Sequence, residues 1–254
     1  MEKRTWFIII FTVICVLAAV LLPAVAQPPE YHDFADQRTK FGVDHFLNVA
    51  SNLGFLIAGI AGLVLVIGAR AQFEFEQERW PWIVFFLGIL LTAPGSSYYH
   101  LAPDNERLFW DRLPMTIAFM GLVSSQIVDR ISVRAGVALL LPMLLVGVAS
   151  VVYWRVTERM GAGNVLPYAI LQGYSVIVLL LLAFLAPSRY TRGSDLYFVF
   201  GWYVFSKVLE ALDAHVLAVG QIVSGHTLKH VAASIAGFVA CYMLMHRQVN
   251  PRGP

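Results

Sequence analysis

The sequence predicts an all-α membrane protein, and two observations carry that prediction. The first is composition. Of 254 residues, 58% are hydrophobic and only 13% are charged, with a mean hydropathy of +0.69. A soluble domain has about 45–50% apolar and about 25% charged residues, so lipid must solvate most of this chain. The second is patterning: apolar residues fall in long continuous runs at 6–26, 46–69, 80–100, 111–129, 135–154, 165–186, 196–219 and 226–246. Each is close to the roughly 20 residues a helix needs to cross a bilayer. A membrane β-barrel would instead show segments of about 10 residues with alternating hydrophobicity. The net charge of +2 leaves no nucleic-acid footprint. Cys15 and Cys241 both lie in apolar runs and cannot build a disulfide framework or a thiolate metal site.

Taken in order, the first run differs from the others. It follows the basic start Met1-Glu2-Lys3-Arg4 and ends on Ala24-Val25-Ala26, just before Gln27-Pro28-Pro29. That is the pattern read by signal peptidase, although the apolar stretch is long for a signal peptide. Residues 1–26 are therefore either a signal peptide or an uncleaved anchor helix. Both fates put the segment 27–45 on the far side of the membrane from Lys3 and Arg4. The run 46–69 opens with Asn48-Val49-Ala50-Ser51-Asn52, whose amides are expected to bond between helices. Gly54, Gly59 and Gly62 in the same run, with Gly121 and Gly237 later, either let helices approach closely or leave room for a chain. The later runs are joined by short connections, most of them rich in charge, Pro or Gly, and residues 247–254 form a short cytoplasmic tail.

Parity tests this order. With 27–45 outside, the inside segments hold Lys3, Arg4, Arg70, Arg79, Arg130, Arg134, Arg189, Arg192, Arg247 and Arg252, and the outside segments hold Arg38, Lys40, Arg107, Arg112, Arg155 and Arg159. Ten basic residues against six agrees with the positive-inside rule.

The scarce ionisable residues then gather at one face. His100 ends one run, Asp111 opens the next, and His226 and His230 open the last, all at outside ends by the same parity. His226 and His230 are four residues apart, so their rings share a helix face. Ser96 is one turn before His100 on the same face. A third imidazole from another helix completes a three-histidine set, and catalytic zinc takes three protein ligands while keeping one position open. Asp111 is placed to orient the water at such a site. The plain alternative for a helix-end histidine is an interfacial residue, and that reading suits His32 and His246. A b-type haem would want paired histidines on facing helices, and three histidines with a carboxylate and a hydroxyl suit an open zinc site better. In the run 196–219, Lys207 and Glu210 are spaced as an internal ion pair, while Asp213 either supports a liganding histidine or lines the cavity, with His215 a lesser candidate.

Three stretches carry a resemblance: Gly95-Ser96-Ser97-Tyr98-Tyr99-His100, Asp111-Arg112-Leu113-Pro114-Met115 and Gly225-His226-Thr227-Leu228-Lys229-His230. Together they resemble the alkaline ceramidase family, part of a superfamily of seven-helix membrane hydrolases that includes adiponectin-type receptors. The resemblance covers roughly residues 30–246. It implies a seven-helix catalytic bundle at 46–246, with the first run as an addition. It implies zinc on His100, His226 and His230, with Ser96 and Asp111 as catalytic residues beside the metal. The implied reaction is hydrolysis of the amide of an N-acyl sphingoid base to a fatty acid and a free long-chain base, the lipid substrate arriving from the bilayer. The family also carries a calcium site before its first core helix. Asp33 and Asp36 are the candidate oxygen ligands here, but Asp44-His45 replaces the expected Glu. The alternative is that Asp33 and Asp36 form a solvated cap or pair with Arg38. Other functional classes are a metal-bound lipid receptor or sensor, for which the short tail offers little to couple to, and a zinc transporter, which would want ligands nearer the midplane. The expected location is a bacterial inner membrane with the site on its periplasmic face, or a eukaryotic endomembrane.

Overall fold

The computed structural model describes residues 3–250, with side chains from Thr5 onward. Part of the basic start and the last four residues of the expected tail lie outside the described residues. The helices are α1 (Lys3–Leu21), α2 (Phe46–Ala50), α3 (Leu53–Ile67), α4 (Arg79–Leu101), α5 (Asn105–Arg130), α6 (Val133–Arg159), α7 (Leu166–Leu185), α8 (Leu196–Ala211), α9 (Asp213–Gly220) and α10 (Gly225–His246). No strand occurs among the described residues. Every predicted run holds a helix, and five segments are long and apolar enough to cross a membrane: Phe46–Ile67, Glu76–Leu101, Val133–Arg159, Leu166–Leu185 and Gly225–His246. These features are those of a multi-pass membrane protein.

Where boundaries depart from the runs, local chemistry explains them. α1 stops at Leu21 because Pro23 follows, and a residue before proline is pushed out of the helical region. The run 46–69 breaks between α2 and α3, where Ser51 Oγ and Asn52 Nδ2 donate back to the Asn48 carbonyl at 3.0 and 2.9 Å. α5 starts earlier than its apolar run because Asp104 caps it, accepting from the Arg107 amide at 2.7 Å. Leu212 separates α8 from α9 in the run 196–219.

The most polar long helix, α5, is also the most enclosed. It packs against α4, α6 and α7, and buries Asp111, Arg112, Ser124, Ser125, Gln126, Asp129 and Arg130. Polar groups withdrawn from water need partners, and most of these have them. Arg130 donates to Gln126 Oε1 at 2.9 Å, to the Ala186 carbonyl at 2.7 Å and to the Gly193 carbonyl at 2.8 Å. Asp129 accepts from Ser188 Oγ at 2.7 Å and the Arg189 amide at 3.0 Å. At the same end of the bundle Arg247, expected to start the tail, is only 3% exposed. It donates to the Gln72 carbonyl at 2.9 Å and lies 3.9 Å from the Tyr190 ring centre.

Around this centre, α10 lies between α3 and α8, α3 packs on α4, and α4 on α5. α1 packs outside, against α7, through the stacked rings of Phe11 and Tyr174, 5.8 Å apart, and a 3.1 Å hydrogen bond between Thr12 and Tyr174. Glycines at the crossings serve close approach: a side chain at Gly59 would meet the Leu90 backbone at 2.6 Å, and one at Gly121 the Phe85 backbone at 2.6 Å. Gly237 also borders a cavity. We expect Gly121→Val to force α4 and α5 apart and to cost about 1–3 kcal/mol, the usual cost of overpacking. A lowered thermal midpoint of the detergent-solubilised protein, with helix content kept at low temperature, is the readout.

Candidate metal centre

Three buried imidazoles meet where the last turn of α4 faces the first turns of α10. His100, His226 and His230 are 1%, 5% and 2% exposed. Their ring centres form a nearly equilateral triangle with sides of 4.9, 5.0 and 4.9 Å, and each offers a ring nitrogen within 4.8 Å of the others. Rings bound tetrahedrally to one zinc, with nitrogens about 2.0–2.1 Å from it, would have centres about 5 Å apart. His100 Nδ1 is buried with no hydrogen-bond partner. The group could hold a metal ion, and the triangle fits one.

The start of α10 is fixed by three features. Ser224 caps it, accepting from the Thr227 amide at 3.2 Å. Gly225 sits against the Leu209 carbonyl, where any Cβ would collide. Asp213 Oδ1 accepts the His226 backbone amide at 2.7 Å. Asp213 therefore acts on His226 through the backbone and not through the ring. His230 is oriented from another helix pair. Its Nδ1 lies 2.8 Å from Ser51 Oγ, whose own proton is directed to the Asn48 carbonyl at 3.0 Å. The serine oxygen then accepts from Nδ1–H, which leaves the Nε2 lone pair for a ligand position. A hydrogen-bond partner that fixes a histidine tautomer in this way is common around metal sites. Of the two amides expected to bond between helices, Asn48 reaches α10, accepting from Thr227 Oγ1 at 2.7 Å, whereas Asn52, at the start of α3, bonds only locally, to the Asn48 carbonyl of α2.

The segment before α2 covers the triangle. Phe34 is 5% exposed, and its ring centre is 4.6 Å from that of His100 and 4.5 Å from that of His226. Ala35 donates its amide to Asp213 Oδ2 at 2.9 Å. His32 holds the segment to α4 and α5, pairing with Tyr99 at 2.9 Å and Asn105 at 3.0 Å, which is more than an interfacial role. Upstream, Gln27 accepts from Arg112 at 2.6 Å, and the Arg112 guanidinium is enclosed by Trp154, Tyr168 and Tyr31.

The expected calcium ligands are not gathered here. Asp33 is exposed. Both oxygens of Asp36 are bound by the Arg38 side chain at 2.7 Å, and Arg38 also donates to the Gln221 and Ile222 carbonyls at 2.9 and 2.8 Å. The alternative pairing with Arg38 is what Asp36 makes, and it ties the covering segment to the loop before α10. That bond holds the Asp36 carboxyl below the ordinary carboxylate range. Among the described residues, His100, His226 and His230 are the group of possible metal ligands that comes together.

Ser96 and Asp111 stand beside the triangle, 1% and 8% exposed and within interaction range of each other. With His230 they border a cavity of about 140 Å³ whose other walls are mostly apolar, including Phe85, Ile89, Leu122, Leu179 and Phe200. Lys207 and Glu210 form the expected ion pair at 2.7 Å, and Lys229 joins it at 2.6 Å while also lying 3.3 Å from His226 Nε2. His215 and His246 are exposed and take no part. Sequence reasoning passed over Phe34, Ser51 and Lys229. Ser51 lay inside a stretch already singled out, whereas Phe34 carries no local signal at all. Compared with known proteins, the chain matches no family model and no curated sequence.

Two outcomes follow from this geometry. Ser51→Ala frees the His230 ring and is expected to lower metal affinity about 10–100-fold, read by competition with a chelating dye. Asp36→Asn is expected to lower the thermal midpoint at neutral pH. Because the Asp36 carboxyl is held low, its contribution is complete above the ordinary carboxylate range and fades as pH falls through the folded-state value. The gap between parent and variant should therefore close in strong acid, as midpoints measured across a pH series would reveal.

Proposed function

We propose that the chain is a metal-dependent membrane amidase that cleaves N-acyl sphingoid bases, as the resemblance to alkaline ceramidases implies. The observation that carries this reading is the joining of three features at one place: a triangle of three buried histidines, a Ser96–Asp111 pair, and an apolar cavity that both adjoin. The reading takes zinc as the metal, residues 46–246 as a seven-span catalytic core, and the histidine end as the outer face. In that count α5 and the α8–α9 pair cross the membrane along with the five apolar segments, and the polar side chains of α5 turn inward. It takes α1 as a retained anchor, which its Thr12 and Phe11 contacts with Tyr174 support.

His100, His226 and His230 would hold the ion, which when bound supplies a Lewis acid and brings a water's pKa from about 15.7 toward 7. The chain's own groups do the rest. The acyl chain lies along the apolar wall, which puts the amide carbonyl at the polar end beside Ser96 and Asp111. Asp111 accepts a proton from the attacking water and returns it to the departing nitrogen. Ser96 donates its hydroxyl to the carbonyl oxygen as charge develops there, a contact worth about 3–4 kcal/mol when well placed. Phe34, packed on His100 and His226, keeps bulk water from those two rings.

The experiment is hydrolysis of a panel of N-acyl lipids, read by mass spectrometry of the products, with metal content measured in parallel. His226→Ala is expected to lose both metal and turnover, and Asp111→Asn to keep the metal and lose turnover. Full activity of His226→Ala without bound metal would sink the reading.

A further inference from the structure

The ion cluster on the cavity wall holds two ammonium groups on one directly paired carboxylate. Lys207 on α8 and Lys229 on α10 share Glu210, with Nζ–O distances of 2.7 and 2.6 Å to its two oxygens. An ammonium has three donors and no acceptor. Lys229 uses one on Glu210; His226 Nε2 lies 3.3 Å away, but a ring that lends its one lone pair to a metal cannot also accept from an ammonium. Lys207 uses one, on Glu210. Among the described residues neither makes a further hydrogen bond or direct ion pair, and both border the cavity. Asp111 is the other acid on that wall; it is near enough for its charge to act on both lysines but makes no direct ion pair with either among the described residues. Charge beside apolar walls in a membrane is expensive and usually functional. Ammonium groups with idle donors are completed best by an anionic acceptor, through charge-assisted hydrogen bonds. The rest of the ligand must be apolar, because Phe85, Ile89, Leu122, Leu179 and Phe200 line the remainder of the space.

We propose that Lys207, Glu210 and Lys229 form a lipid-carboxylate subsite, in which the two ammonium groups receive the carboxylate of a long-chain amphiphile whose chain enters the adjoining cavity. Two sources share that chemistry. One is a free fatty acid, the product that amide hydrolysis would release. The other is an N-acyl amino acid, a substrate whose head group carries the carboxylate. The naming of these two sources rests on the amidase reading, whereas the subsite itself rests on the geometry of the cavity.

The test is binding without turnover. Palmitate, N-palmitoylglycine and methyl palmitate are titrated calorimetrically into the detergent-solubilised full chain after chelator treatment. At least one acid is expected to bind about tenfold more tightly than the ester, the scale of one good charge-assisted contact. Lys207→Met removes one cation and keeps the Lys229–Glu210 pair, so it should abolish most of that preference and leave ester binding unchanged. Glu210→Gln removes the competing acid, so it should bind the acids at least as tightly as the parent does. A purely structural triad would weaken all three ligands in both variants, and that pattern overturns the proposal. Equal binding of acids and ester by the parent overturns it as well. A lysine-dependent preference for palmitate identifies the product as the source, and one confined to N-palmitoylglycine identifies the head group. A chain that shows the preference yet hydrolyses no amide keeps the subsite and loses the amidase reading. A chain that hydrolyses amides without the preference does the reverse.

Discussion

A single carboxylate, that of Asp213, joins the parts on which the centre depends. One oxygen takes the His226 amide and the other takes the Ala35 amide. The first bond fixes the start of α10, and with it the places of His226 and His230 one turn apart. The second bond brings down the segment that carries Phe34 over the rings. An N-terminal helical amide is an orphan donor that must be satisfied. In a bundle solvated by lipid, water is a poor substitute. Helix capping, ligand placement and coverage of the site are therefore consequences of one local requirement.

The same requirement explains α5. A helix with so many charged and hydroxyl side chains would be unstable facing lipid, so it occupies the middle of the bundle, where neighbouring carbonyls and side chains meet its donors. Arg130 and Arg247 show how complete this matching is at the end far from the histidines. Each reaches backbone carbonyls of connecting segments that would otherwise lack donors. These contacts tie the far-end connections to the helices and leave the opposite end to be shaped by the site.

Much of this was legible in the sequence, for identifiable reasons. Apolar runs report burial in lipid or core directly, so each one marked a helix. His100, His226 and His230 were legible because ionisable groups are rare in such runs and helical spacing puts two of them on one face. What escaped depended on contacts distant in the chain. Ser51 meets His230 across 179 positions, and Asp213 meets Ala35 across 178, so no local pattern announces either. Lys229 sat in full view between two expected ligands but was set aside with the apolar run around it. The breaks at Ser51–Asn52 and at Leu212 were hidden because apolar periodicity continues through them, while side-chain and backbone geometry does not.

The two sides of the histidine triangle differ in a way that constrains any chemistry there. On one side the Phe34 ring lies against His100 and His226, packed as a core residue. On the other, His230, Ser96 and Asp111 border the cavity. Of the three rings, that of His230 borders the cavity, whose walls favour a chain that prefers hydrocarbon to water. Apolar approach and polar termination are thus imposed by the same set of helices, and this coupling would restrict the centre to amphiphiles even if its rings and carboxylate were competent toward smaller soluble amides.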